Sequence, residues 1–228
     1  MAGGPRGKGD VAQLIRDHLR PGQTAVDVGA ALGAMSEVMA QCVGPTGHVV
    51  AIEADPSPMK VDKLAAVCQR YPMIQPVWTA LGEAEGAVVP LQRAGTTAAS
   101  RWHGDGTRIQ VPMTTLDAVA PARVDLVKMD VQGSEGHVLD GAARVLAMCP
   151  VWILELWPWG LSTAGRSALD VVQQLRAAGL TVYWPKGTDP IQDADLVAWA
   201  GTVGAPSGEM ANIVAKRHDG HTNIVATR

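Results

Sequence analysis

The chain has 228 residues, 47% of them apolar, and a net charge of −3. That is enough for one large or two small domains with a real core, and it lacks the basic footprint of a nucleic-acid binder. No apolar run reaches the ~18 residues of a membrane span. Cys42, Cys68 and Cys149 form no Cys-x-x-Cys pair, which argues against zinc or a disulfide framework and for reduced thiols in the cytoplasm.

Residues 1–9 have no apolar signal core and read as a flexible tail. Asp10 caps a short helix over 11–19, with Val11, Leu14, Ile15 and Leu19 on one stripe. A strand at 24–28, a helix at 33–42, a strand at 48–53, a helix at 56–69 and a strand at 74–79 follow. The pattern then changes to an inserted hairpin, with short strands at 86–91 and 108–112. Its polar loop, 92–107, exceeds the usual ~4–6 residues of a connection. A helical turn at 116–120, a strand at 124–130, a single helix at 134–148 and a strand at 151–155 come next. A helix at 167–178 turns Leu169, Val172 and Leu175 inward, and a strand follows at 180–184. Residues 185–208 read as irregular, and 211–216 as a last strand. Asn212-Ile-Val-Ala recurs at Asn223, which makes 218–228 a tail or an edge strand. Alternating strands and helices imply an α/β sheet with right-handed crossovers, in one domain over 10–217.

The stretch Thr24-Ala-Val-Asp-Val-Gly-Ala-Ala-Leu-Gly-Ala34 has the form of a buried strand, a tight turn and a helix start. Parallel sheets bind ligands there, beyond the carboxyl ends of their strands. A dinucleotide turn wants G-x-G-x-x-G, which Gly29, Ala31 and Ala34 match only loosely. Asp27 stands two residues ahead of Gly29, and a carboxylate aimed at a pyrophosphate repels it. S-adenosylmethionine, with its amino group, sulfonium and ribose hydroxyls, suits the spacing of Asp27, Gly29, Ala31 and Gly33 better. Glu53 ends the next strand, 24 residues after Gly29. That is the place of a ribose-binding acid, whose carboxylate can accept both hydroxyl protons.

Six blocks then resemble, in order, the FkbM-type S-adenosylmethionine-dependent methyltransferases: Asp27-Val-Gly-Ala-Ala-Leu-Gly, Ala51-Ile-Glu-Ala-Asp-Pro, Ala80-Leu-Gly, Thr115-Leu-Asp, Val127-Lys-Met-Asp-Val-Gln-Gly-Ser-Glu and Leu139-Asp-Gly-Ala. The resemblance implies a class I, Rossmann-like fold: a doubly wound, mostly parallel seven-stranded sheet. It implies O-methylation, often of sugars or natural products. Ala30 and Ala54 belong to the cofactor set with the residues above, and Ala80 and Leu81 line adenine. Two positions depart from the family: Ala31 stands where Asn is frequent, and Gln132 where Glu is frequent.

Methyl transfer to an alcohol needs alignment, exclusion of water and a base. Asp130, at the end of the fourth major strand, is expected to meet the methionine amino group or the substrate. Glu135 is a candidate base or substrate contact, or else an acid favoured by a helix dipole. His103 is a candidate general base in a lid around 100–103. Trp102, Trp157 and Trp159 are substrate candidates, with packing expected for one of the last two. Lys128 lies in an apolar strand and needs a partner, for which Glu155 is the expected choice. No metal is expected, since Asp130 and Glu135 lack a third acid. The expected partner is a small molecule or glycan, with no nucleic acid or membrane. A nicotinamide oxidoreductase and a cofactor-binding module without turnover are the alternatives.

Overall fold

The computed structural model describes residues 11–94, 98–100, 108–185, 187–201 and 210–217. The expected terminal tails, Asp10, Trp102 and His103 lie outside the described residues.

In chain order the elements are α1 (Val11–His18), β1 (Thr24–Val28), α2 (Ala34–Val43), β2 (His48–Glu53), α3 (Pro58–Arg70), β3 (Ile74–Trp78), β4 (Ala80–Leu81), β5 (Ala87–Ala94), β6 (Ala98–Ser100) and β7 (Arg108–Thr114). They continue with α4 (Leu116–Val119), β8 (Leu126–Met129), α5 (Glu135–Asp140), α6 (Ala143–Met148), β9 (Val151–Leu156), α7 (Pro158–Thr163), α8 (Ala168–Ala177), β10 (Leu180–Tyr183), α9 (Asp193–Gly201) and β11 (Ala211–Arg217). Seven strands form one sheet in the order β10-β11-β9-β8-β1-β2-β3, with β11 antiparallel to both its neighbours and the remaining pairs parallel. A second sheet, β4-β7-β5-β6, is the insertion.

Alternation along the strands divides the core into two layers. Ala25, Ala51, Leu126, Ile153 and Val214 pack under α1, α2 and α3. Val26, Val28, Val127, Met129 and Leu154 pack under α5, α6, α8 and α9. The sheet is thus doubly wound, as expected.

Three expectations are corrected. The segment 134–148 is two helices, because the chain breaks at Gly141. A Cβ there would lie 2.1 Å from the Gly82 carbonyl oxygen. The Asp117 carboxylate then caps the second helix, accepting from Arg144 N at 2.7 Å and Val145 N at 2.9 Å. The stretch expected as a loop from 92 carries the end of β5 and then β6, which pairs antiparallel with it. The stretch expected as irregular from 185 contains α9, anchored by buried Leu196 and Trp199. A short helix, α7, also went unforeseen; Pro158 opens it at a position where its missing N–H costs nothing.

Two turns at the carboxyl edge of the large sheet hold non-glycine residues in the left-handed region: Ala31 at φ 50° and Gln132 at φ 53°. The turn after β1 is pinned by Gly29 N and Ala30 N donating to Ile52 O, both at 3.0 Å. Ala31 N donates to Glu53 Oε2 at 2.7 Å. The turn after β8 is held from within by Glu135, whose Oε1 accepts from Val131 N at 3.2 Å and Gly133 N at 3.3 Å. Oε2 of Glu135 is buried without a hydrogen-bond partner among the described residues. Burial, with the nearby Asp130 charge adding to it, pushes the Glu135 carboxyl up to about 7 against the pull of the amides.

Replacing Ala31 with Gly relieves a left-handed alanine worth ~1–2 kcal/mol, less glycine's entropy cost. The expected gain is about 0.5–1 kcal/mol, a Tm rise of about 2 °C in a thermal melt, whereas Ala31→Val lowers Tm. Glu135 has its pKa raised in the folded state. The folded chain therefore holds the extra proton between its ordinary carboxyl value and about 7, and stability declines as pH rises through that window. Urea unfolding from pH 5 to 8 should show the wild type losing up to about 3 kcal/mol relative to Glu135→Gln, the isostere of the protonated acid. Parallel profiles would mean that Glu135 is ionised throughout.

Candidate functional site

A cleft opens where β1, β2, β3 and β8 end, with about 770 Å³ of empty space including the part open to solvent. Of the residues singled out from the sequence, Gly29, Ala31, Glu53, Ala54, Ala80, Leu81 and Asp130 all line it. Thr79 fastens the insertion to this edge, its hydroxyl donating to Pro112 O at 3.0 Å. Val89 and Leu91 of β5 thereby become an apolar wall of the cleft. Sequence reading missed that wall, because it sought the insertion's contribution to the site in a lid around 100–103 and not in β5.

Three of the cofactor candidates do not line the cleft. Gly33 packs against α3, where a Cβ would lie 3.0 Å from Leu64 Cδ1 and 3.1 Å from Val67 Cγ2. Ala30 is buried in the turn. Asp27 is fully buried on the α1–α3 face of the sheet. Its Oδ1 lies 3.2 Å from Lys128 Nζ, and its Oδ2 accepts from Ser36 Oγ at 2.6 Å. Asp27 therefore does not repel a diphosphate: its charge is already met by a lysine, and it points away from the ligand. The acid that bears on that choice is Asp130, which does line the cleft.

The Lys128 expectation is corrected by the same contact. Asp27 and Lys128 are register partners on adjacent parallel strands, so their side chains leave the same face side by side. Lys128 Nζ also donates to Gly29 O at 3.2 Å. Burial alone would pull this lysine down; Asp27, with Asp130 and more weakly Glu155, outweighs it and holds the ammonium above its usual range.

Glu53 is buried and already engaged. Its Oε2 accepts from Ala31 N at 2.7 Å, and its Oε1 accepts from Asp55 N at 2.8 Å and Lys60 Nζ at 3.0 Å. A carboxylate offers about four lone-pair sites. Three are taken, so Glu53 has room for one more donor and not the two hydroxyls expected of it. Lys60 is itself a cleft residue that sequence reading passed over. Its signal was its place: Lys60, Leu64 and Val67 are the buried residues of α3, spaced as one helical stripe.

Beyond Asp130 lies a second, smaller cavity lined by Lys128, Met129, Asp130, Ile153, Glu155 and Asn212, with Val11 of α1 over it. Glu155 and Asn212 are register partners of β9 and β11. Gln132, folded back by its left-handed backbone, donates from Nε2 to Asp130 Oδ1 at 2.6 Å and reaches Glu155 Oε2 at 3.5 Å. A glutamate at position 132 would set a third carboxylate between those two; the amide supplies a donor instead. Glu135 lines neither of these cavities; what the structure shows it doing is holding the turn. Trp157 and Trp159 line neither cavity as well. Their rings lie 5.0 Å apart, and Trp157 covers Gly160, where a Cβ would meet its ring at 2.4 Å.

Comparison with known proteins agrees with this geometry. The family model for the methyltransferase FkbM domain matches residues 27–180, about two thirds of the chain. No curated protein matches. Among solved structures, a methyltransferase FkbM from Methylobacillus flagellatus is similar with a TM-score of 0.54 at 14% identity, over 90% of this chain and 50% of that one. The present chain thus spans half the length of that protein. A precorrin-6y C5,15-methyltransferase from Geobacter metallireducens gives 0.51 at 14% identity, over 95% and 94% of the two chains. Fibrillarin from Aeropyrum pernix, solved with natively bound S-adenosylmethionine, gives 0.50 at 15% identity, over 90% and 73%. These likenesses show the fold, and the domain match over the glycine turn, Glu53, Asp130 and the strands between them places the chain in the FkbM family of S-adenosylmethionine-dependent methyltransferases.

Proposed function

We propose that the chain methylates an uncharged hydroxyl of a small molecule or glycan, with the larger cleft holding the cofactor and the smaller cavity receiving the acceptor. The observation that carries this reading is Asp130, which lines both spaces. One carboxylate at the junction suits a cationic cofactor on one side and an alcohol on the other.

The cleft's own chemistry fits S-adenosylmethionine. Ile52, Ala80, Leu81, Val89 and Leu91 offer apolar walls for adenine. Glu53 has an open acceptor site for the ribose. Asp130 meets the methionine ammonium. When bound, the cofactor supplies a methyl group on a cationic sulfur. The apolar insertion wall keeps water from it. In the smaller cavity, Glu155 is placed to orient the acceptor hydroxyl and take its proton, with Asn212 beside it. Glu155 is thus the base assigned in this reading in place of Glu135, while His103 lies outside the described residues.

The experiment is methyl-tritiated S-adenosylmethionine offered to neutral glycosides and polyols, and to glucuronate and glucose 6-phosphate as anionic counterparts. Transfer to neutral hydroxyls is expected. Glu155→Gln should lower kcat by about 100-fold or more, the usual worth of a general base. It should leave cofactor affinity, measured by calorimetry, within about twofold, since it removes no cofactor contact. Asp130→Asn should instead weaken cofactor binding by about tenfold, the loss of one charge-assisted contact. Cofactor binding with transfer to none of these acceptors would favour a binding module without turnover. Preferred transfer to the anionic members would overturn the acceptor class.

A further inference from the structure

Lys60 is a positive charge in a cleft whose cofactor is itself cationic. Its side chain is 5% exposed, Nζ lies 3.0 Å from Glu53 Oε1 and 3.6 Å from Asp55 Oδ2, and it lines the cleft. Asp55 is held in turn by Ser57, whose N and Oγ donate to its two oxygens at 3.1 and 3.2 Å. The lysine stem comes from the first turn of α3, which Pro58 opens. Its ammonium therefore cannot swing to solvent without unwinding from two buried acids.

The donor and acceptor inventory is asymmetric. Oε1 of Glu53 is filled by Asp55 N and Lys60; Oε2 has one filled site, from Ala31 N. An ammonium carries three N–H donors and no acceptor. Glu53 takes one and Asp55 is at the limit of an ion pair, so Lys60 has a donor to offer a ligand oxygen. Resting on the reading that the cofactor's ribose lies at Glu53, we infer that Lys60 is a specificity-determining residue: the ribose diol is read as an unlike pair, one hydroxyl donating to Glu53 Oε2 and the other accepting from Lys60. A lone carboxylate would take both hydroxyls as donors. Here the second is recognised as an acceptor, and Lys60 also keeps Glu53 turned toward the Ala31 amide.

The test is calorimetry with S-adenosylhomocysteine and its 2′-deoxy and 3′-deoxy analogues. The wild type should bind each deoxy analogue about tenfold more weakly, the typical worth of one charge-assisted hydrogen bond. Lys60→Met should abolish the penalty for one deoxy analogue and leave the other. Equal weakening of all three ligands would show a merely structural lysine and overturn the inference. A thermal melt reports whether the variant folds. Should it not, the ammonium resonance of Lys60 in ¹⁵N-labelled wild type decides between the two: S-adenosylhomocysteine shifts it, and one deoxy analogue fails to. A resonance indifferent to both hydroxyls overturns the inference. Failure of the wild type to bind S-adenosylhomocysteine at all would instead remove the cofactor assignment of the cleft, a separate result.

Discussion

The ion pair between Asp27 and Lys128 is the contact on which the site's shape depends. Both groups are buried, and removing one partner of such a pair costs about 3–5 kcal/mol because the other charge is stranded. The pair joins adjacent strands at their carboxyl ends, and Lys128 adds the Gly29 carbonyl. The turn after β1 is thereby fixed to β8 as well as to β2. Packing then leaves no slack: a Cβ on Gly29 would lie 2.0 Å from Asp130 O. The glycine is required there by the neighbouring strand, so its small size serves the joint between β1 and β8 at the wall of the cleft.

The fold makes consistent use of carboxylates on backbone amides. Glu53 serves Ala31 N and Asp55 N, Glu135 serves Val131 N and Gly133 N, Asp117 serves Arg144 N and Val145 N, and Asp125 serves Thr24 N. Each replaces a hydrogen bond that a regular strand or helix would have supplied. This use helps two left-handed non-glycine turns persist side by side: Glu53 of the neighbouring strand holds the first and Glu135, from within, the second. It also sorts the acids. Glu135, Asp117 and Asp125 hold amides away from both cavities, Glu53 holds amides and lines the cleft, and Asp130 and Glu155 line the smaller cavity.

Much of this was legible in the sequence, and the parts that were not share a cause. Strand β2 and the start of β1 follow from apolar runs bounded by glycine and proline, and they stand where periodicity places them. The family blocks fixed which edge carries the site. What periodicity cannot carry is register. Asp27 and Lys128 each stand in an apolar strand, but only the pairing Asp27↔Lys128 reveals that they neutralise one another. Glu155 was equally visible, yet its neighbour proved to be Asn212 across an antiparallel strand from far along the chain. The β6 strand hid because Ala98-Ala99-Ser100 has little intrinsic preference for a sheet. Lys60 hid for the opposite reason: it occupies an apolar stripe position, where a lysine is taken for a surface residue unless the stripe is counted.

Placing the acids this way changes what limits the acceptor. If Asp27 had faced the cleft, selectivity would rest on the cofactor side. With Asp27 neutralised and Glu53 paired with Lys60, the negative charge gathers at Asp130 and Glu155, on the side proposed for the acceptor. An anionic group about 5 Å from one of these carboxylates would meet about 3 kcal/mol of repulsion at an effective dielectric of ~20, more than a hundredfold in affinity. The cofactor's cationic sulfur is favoured by the same field, and the neutral thioether left after transfer is not. With the cofactor and acceptor placed as proposed, one pair of carboxylates would disfavour charged acceptors, steady the cationic donor and loosen the spent product. The buried pair beneath them allows this, because it removes from the cleft the acid that the sequence sets most prominently in it.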